Sequence, residues 1–568
     1  MQYEHERWLS WNQPANILMI TLPLEAGVYR AKEFFGQNWP LTILYFEGDQ
    51  VVWFNRWEEL RSLGEKILDS WLLPGASEQF FTGFEQECKT MRRAVQDMVQ
   101  LLESSDPPHA VLADHYRAFV DKYLRWYAIG WCAEPVQFCA ERILVRELER
   151  LVALGHIEGE KVISGKIHLF SPTAMTYQAK MEISFAACVE TVLAALRRAG
   201  WSIADDMPFS REEPFITWSA VLNDPIYDDA RRMCQAHAAE FYWSRNNYLN
   251  TCKLTGPDVL DEVGKALKDR PPQAIRKGVA DLEGMFTREN PSRRELKQNL
   301  GAYHRAIVDI LGSNALLKDR RKEVISRVNH VLTLFLERIA ADFSITLGQA
   351  QQMLSAEIEE VLSQGRISEA LCETLTMRRE KAVVIWCEHD VAPIEYTSLR
   401  RLRDSGQDRY PPLTEWTMGG PTIVEGAAAA NDMLAALNGK FGFVLDLEKR
   451  VTSSRIKGDC VFFNPGEFEI KGTARIVLDP KVPGNFEKGD VLIAPSTTPD
   501  YLALMKKAAC IVTDWGGWTS HAALVAREFG KPCIVGTNYA TKIFADGDQV
   551  AVILPDGIIE KSLLEEPA

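Results

Sequence analysis

Through roughly the first 350 positions apolar residues recur three or four apart, the period of helices that bury one face. Phe80, Phe81, Phe84, Met91, Val95, Met98 and Val99 mark one stripe, and Tyr116, Phe119, Val120, Tyr123 and Leu124 another. Trp126, Tyr127, Trp131 and Phe138 continue the pattern and read as helix packing before ligand contact. Ahead of the stripes, the runs 41–46 and 51–54 flank Glu47-Gly48-Asp49-Gln50 and predict a β-hairpin. Asp224-Pro225 and Pro271-Pro272 break helices, and 294–311 and 318–340 read as two long charged ones. Lys318-Asp319-Arg320-Arg321-Lys322 fits a solvated face first and a dock for an acidic partner or a phosphate second.

The texture then changes. Pro411-Pro412, Gly419-Gly420-Pro421 and the alanines 427–430 predict a linker with one short helix over 401–450. Beyond it come short β-rich runs punctuated by Gly and Pro: Cys460 to Phe463, Ala474 to Leu478, Val491 to Ile493 and Val550 to Ile553. The expectation is a multidomain α+β protein, with a large mainly helical region at 1–400, a linker at 401–450 and a smaller β-rich domain at 451–568.

Composition narrows the function classes. A net charge of -14 argues against general nucleic-acid binding. No apolar run approaches the roughly 20 residues of a membrane span, and Met1 to Arg7 does not open a signal peptide, so the chain reads as cytoplasmic. Its 11 cysteines are scattered singly, as reduced core thiols are. Cys387-Glu388-His389-Asp390 lacks a second ligand pair, and no metal site is expected.

The most informative run is Thr513-Asp514-Trp515-Gly516-Gly517-Trp518-Thr519-Ser520-His521-Ala522-Ala523-Leu524-Val525-Ala526-Arg527-Glu528. An apolar strand feeds a double-glycine turn, two hydroxyl residues and a helical pattern, which places His521 at a helix N-terminus. Free N–H groups and the positive end of the helix dipole stabilise phosphate there, and glycine lets backbone approach it. Thr519 and Ser520 are suited to cap the helix and donate to phosphate oxygens. Alone, a histidine at such a corner is as well explained as a polar turn residue.

With its neighbours, the run resembles the phosphohistidine signature of the phosphoenolpyruvate (PEP)-utilising enzymes, the family of PEP synthase, pyruvate phosphate dikinase and rifampin phosphotransferase. The stretch 530–536, the upstream Gly489-Asp490-Val491-Leu492-Ile493-Ala494, and Thr497-Thr498-Pro499-Asp500 fit in the same order. Leu354 to Leu362 and Met377-Arg378-Arg379-Glu380 resemble a helical stretch ahead of the histidine domain in these phosphotransferases. The resemblance implies a swivelling β/β/α domain with His521 as phosphate carrier. It implies Gly516, Gly517, Thr519 and Ser520 as phosphate binders, with Thr498 and Arg527 in support. Arg527, six positions along a helix from His521, points about 120° away, so an ion-pair role stands beside phosphate binding.

No P-loop and no ATP-grasp pattern is legible before the linker, and little chain follows His521, so no PEP/pyruvate barrel is expected. The resemblance is then to the acceptor-binding region plus histidine domain of rifampin phosphotransferase, or to the central subunit of phenylphosphate synthase. It implies no covalently held cofactor, with ATP and Mg2+ used through a separate ATP-grasp-type subunit and a small hydroxylated molecule as acceptor. A self-sufficient kinase with a divergent nucleotide site and a non-catalytic regulatory protein are the alternatives. The acceptor cavity is expected before residue 400, lined by aromatic and apolar side chains. His115, His237, His304 and Asp319 are candidates for the general base.

Overall fold

The computed structural model describes residues 8–562 apart from 159–168, 209–220, 288–290, 387–421, 442–453 and short gaps that include 518–519. The expected multidomain α+β architecture is present: a large helical N-terminal region is followed by a domain built on strands. Among the described residues no helix is long and apolar enough to cross a membrane, and the described cysteines are free thiols.

The N-terminal region contains one sheet. Strand β1 (Trp8–Pro14) lies beside the predicted hairpin of β2 (Thr42–Glu47) and β3 (Gln50–Arg56), whose turn places Gly48 at φ 57°, a conformation that favours glycine. Strands β4 (Lys381–Trp386) and β5 (Thr422–Glu425) complete the order β1-β3-β2-β4-β5. The stretch 401–450, expected as a linker, thus contributes β5 and the helix Ala427–Phe441. Pro411-Pro412 and Gly419 to Pro421 lie outside the described residues, as does the Cys387 to Asp390 cluster.

Helices Ala76–Ser104, His109–Gly130 and Ala133–Ala153 pack on a 41-residue helix, Ala302–Asp342, and Trp57–Trp71 packs on Ala133–Ala153. The aromatic stripes face inward as predicted, with Phe84, Met91, Tyr116, Phe119 and Tyr123 at most 3% exposed. The charged region departs from expectation. Instead of helices at 294–311 and 318–340, a short helix Pro291–Asn299 breaks at Leu300-Gly301, and the long helix then runs without interruption through Gly312. Nor is Lys318 to Lys322 a solvated face: Lys318, Asp319 and Arg321 are 9%, 5% and 7% exposed. The burial of Lys318 and Arg321 is tolerated because Ala133–Ala153 supplies partners, and that of Asp319 because Tyr177 N and Arg320 donate to it. Arg321 clamps Glu134 and donates to the Gly130 carbonyl at 2.7 Å, and Lys318 donates to Gln137 Oε1.

The C-terminal domain carries β6 (Arg455–Lys457), β7 (Asp459–Phe462), β8 (Glu469–Ile476), β9 (Val491–Ala494), β10 (Cys510–Thr513), β11 (Cys533–Val535), β12 (Gln549–Ile553) and β13 (Ile558–Lys561) in the order β6-β13-β12-β8-β9-β10-β11-β7. The central β8 to β11 are parallel, and each loop leaving a carboxyl end opens at the same side of the sheet. Helices Leu502–Lys507 and His521–Phe529 cover one face and share an apolar cluster with body helices Tyr177–Arg198, Asp228–Phe241 and Gly256–Asp269. The domain is therefore docked on the body, with His521 at the seam.

Candidate active site around His521

His521 is the first residue of its helix, and Ser520 is the cap, its hydroxyl accepting from Ala523 N at 3.3 Å. The turn before it is fixed by Asp514, which ends β10 and accepts from Thr537 Oγ1 at 3.1 Å and from Thr541 N at 3.2 Å. Gly516 has φ 130°, and a β-carbon there would stand 2.9 Å from Ser520 Oγ. At Gly517 a β-carbon would meet Gln137 Nε2 at 2.9 Å and Glu141 Oε2 at 3.1 Å, both on the helical body. One glycine serves the turn and the other the seam. Trp518 and Thr519 lie outside the described residues.

The imidazole is 7% exposed. Its Nδ1 lies 2.9 Å from Thr497 Oγ1, on the loop after the neighbouring strand β9, and its buried Nε2 has no partner among the described residues. The residue borders a cavity lined by Thr176, Tyr177, Lys318, Asp319, Lys322 and Glu528, with Gln178, Leu524 and Val525 completing the wall. A second helix N-terminus opens there: Thr176 caps Tyr177–Arg198, accepting from Ala179 N at 3.1 Å, and the Tyr177 N–H donates to Asp319 Oδ2 at 2.9 Å. Two helix dipoles and two lysines thus converge on one small volume.

Burial governs the protonation states. It holds His521 well below the usual histidine range, aided by the Lys322 charge, so the ring is neutral, and the tautomer with its proton on Nδ1 toward Thr497 leaves a lone pair on Nε2. Burial brings Lys322 down to about 7, with Lys318 and Arg321 adding repulsion, and it also lowers Lys318. It pushes Asp319 up to about 7, against the pull of Arg320, and Glu528 up to about 8. Burial thus suppresses charge on lysines and carboxyls alike in the site. An incoming dianion would restore the charge on Lys322 and use both lysines as donors.

Of the residues singled out in the sequence, His521, Ser520 and Gly516 come together directly, and Gly517 adjoins them at the seam. Thr498 is turned away, its hydroxyl on Asp500, and the position touching His521 is Thr497, one residue earlier. Arg527 is buried on another side of its helix, its guanidinium brought down to about 10 by burial while Glu141 supports its charge. Among the candidate bases only Asp319 lines the cavity. His237 packs on Phe241 with Nδ1 2.9 Å from Ser184 Oγ, His304 lies 3.7 Å from Glu147, and His115 is exposed. Glu528, not singled out beforehand, is seven positions from His521, two helical turns along the same face. Thr176 and Tyr177 are brought in from the body and carry no sequence signal of their own.

Residues 486–555 match the family described as PEP-utilising enzyme, mobile domain. The C-terminal segment is a domain of that kind, as its motif implied. A probable phosphoenolpyruvate synthase of Staphylothermus marinus is 45% identical over 97 residues, which cover 17% of this chain and 12% of that protein. The phosphoenolpyruvate synthase of Aquifex aeolicus is 42% identical over 110 residues, 19% of this chain and 12% of its own length. That of Aeropyrum pernix is 53% identical over 73 residues, 13% and 9% of the respective chains. The chain therefore spans about an eighth of the curated relatives it matches first.

Proposed function

We propose that this chain is a phosphotransferase component that carries a phosphoryl group on His521 Nε2 and delivers it to a small hydroxylated acceptor held by the helical body. The observation that carries the reading is the neutral, buried imidazole at a helix N-terminus, with Nδ1 engaged by Thr497 and Nε2 left free, beside a cavity with Lys318 and Lys322. A neutral ring nitrogen attacks phosphorus, and the N–P bond it forms is labile enough to pass the group on, dividing one displacement into two. The two lysines neutralise the transferred oxygens, and Ser520, Gly516 and Gly517 keep the turn open for them. The names of the relatives agree with phosphotransfer over the histidine domain, the region they share.

Donor and acceptor must each stand in line with the bond between Nε2 and phosphorus, so the two occupy the same position in turn. A mobile histidine domain meets this by leaving the body to be charged and returning to discharge. The donor in this reading is ATP with Mg2+, bound by a separate ATP-grasp-type partner. The test is incubation with γ-labelled ATP, alone and with candidate nucleotide-binding partners. Label on His521 only when a partner is present is expected. Rapid labelling of the chain alone would move the donor site into it, and label that survives His521→Ala would end the carrier reading.

A further inference from the structure

The cavity beside His521 holds two carboxyl groups from opposite sides of the seam, and they are not equivalent. Glu528 arrives with the mobile domain. Its Oε1 accepts the Thr176 hydroxyl at 2.5 Å, and its buried Oε2 has no partner among the described residues. Asp319 belongs to the body. Its Oδ2 accepts from Tyr177 N at 2.9 Å and from Arg320 at 2.7 Å, and no described residue bonds Oδ1. Two donors on one oxygen fix the carboxyl plane and leave the other oxygen for a ligand.

Resting on the phosphocarrier reading above, we infer that Asp319 is the proton acceptor for the hydroxyl that takes the phosphoryl group from His521. In this step the acceptor oxygen bonds to phosphorus, and the bond between Nε2 and phosphorus breaks with its electron pair returning to Nε2. The hydroxyl proton passes to Asp319, and the ring departs as a neutral imidazole. When the domain undocks, solvent takes the proton.

The other groups around the cavity suit the task less well. Lys318 and Lys322 keep their protons beside a dianion, and Thr176, Tyr177 and Gln178 offer no basic atom near neutral pH. Burial raises both carboxyls, but Asp319 bonds the Arg320 guanidinium, which favours its ionised form, whereas Glu528 bonds the neutral Thr176 hydroxyl and has Asp319 and Glu182 opposing its charge. Arg320 and Lys180 favour the Asp319 charge and Glu323 opposes it. The base stands on the body and the phosphohistidine on the mobile domain, so the discharging site is complete only when the two are docked.

The experiment loads His521 chemically with phosphoramidate, which needs no partner. Loss of phosphohistidine is then followed by phosphorus NMR, in water and with glycerol as probe hydroxyl, over a range of pH. The wild-type rate should rise through the neighbourhood of pH 7. Asp319→Asn should load normally, lose phosphate more slowly by roughly 100-fold or more, and show a flat pH profile. Asp319→Glu should recover part of the rate, which separates a chemical loss from a structural one. Wild-type decay and an unchanged profile in Asp319→Asn would overturn the assignment while leaving the carrier reading intact. Failure of wild-type His521 to load, or equal loading of His521→Ala, would overturn the carrier reading itself.

Discussion

The C-terminal domain contributes to two apolar cores that differ in kind. On one side of its sheet Ile470, Val491, Ile493, Val512, Ile534, Val550 and Val552 close an interior drawn wholly from the domain, beside which the buried Asp514 is held by Thr537 and Thr541 of the same domain. On the other side Leu492, Ile511, Ala522, Val525 and Val535 join Val189, Leu193, Phe241 and Leu260 of the body, and Lys318, Asp319, Lys322 and Glu528 line a cavity at its edge. An interior that stays shut has every reason to exclude charge, because nothing repays its desolvation. A seam that a mobile domain leaves and re-enters can hold charged groups, since each regains water on opening. The gathering of Lys318, Asp319, Lys322 and Glu528 at the edge of the shared core therefore points to where the molecule parts.

The largest expected effect tests the seam's central residue. His521→Ala should abolish acid-labile phosphate on the chain while leaving far-UV circular dichroism unchanged. Next is Lys322→Gln, which removes a donor from the phosphoryl site. Transfer should slow roughly 10- to 100-fold, the worth of a charge-assisted hydrogen bond, with single-turnover kinetics as the measure.

The two glycines then divide the comparison. Gly516→Ala places a β-carbon 2.9 Å from Ser520 Oγ at φ 130°, and strain of this kind costs about 1–3 kcal/mol, read as a lower melting temperature of the domain. Gly517→Ala meets only side chains of the body. It should leave the melting temperature nearly unchanged and weaken docking by about 1 kcal/mol, the scale of a modest overpacking, read by energy transfer between dyes on body and domain. Reversal of these two outcomes would break the distinction between interior and seam.

The smallest effect concerns pH. Docking raises Glu528 from 4.5 to about 8, so the docked state binds the proton more tightly. Its contribution to docking is full below about pH 4.5 and is lost as pH rises through about 8. Lys322, lowered from 10.5 to about 7 by burial, has the opposite sign: its contribution is gained as pH rises between those values. Glu528→Gln should therefore flatten the fall in docking between about 4.5 and 8, measured with the same dye pair.

Sequence order carried the local features well. His521 at a helix start, the hairpin around Gly48 and the apolar helical stripes are all set by neighbours within a few positions, where periodicity and turn chemistry act. What could not be read was tertiary. Lys318 to Lys322 has the composition of a solvated face, and only the partners on Ala133–Ala153, together with the docked domain, make it an interior. Thr497 and Thr498 are indistinguishable as letters, and the path of the loop after β9 decides which hydroxyl meets the imidazole. The span 401–450 is rich in glycine, proline and alanine, and the pairing of β5 with β4 outweighs that local tendency.

The same sheet sets a schedule for synthesis. Strand β2 sits between β3 and β4, and its Leu44 pairs with Val384, made roughly 340 residues later. At about 5–20 residues per second, the emerging hairpin waits on the order of 20 to 70 seconds on the ribosome with one backbone edge unpaired. That interval exposes Ile43, Leu44 and Phe46, all buried in the finished protein, to other nascent chains and to chaperones. Yield from rapid overexpression should accordingly depend on how fast translation reaches β4, a requirement unrelated to how stable the completed molecule is.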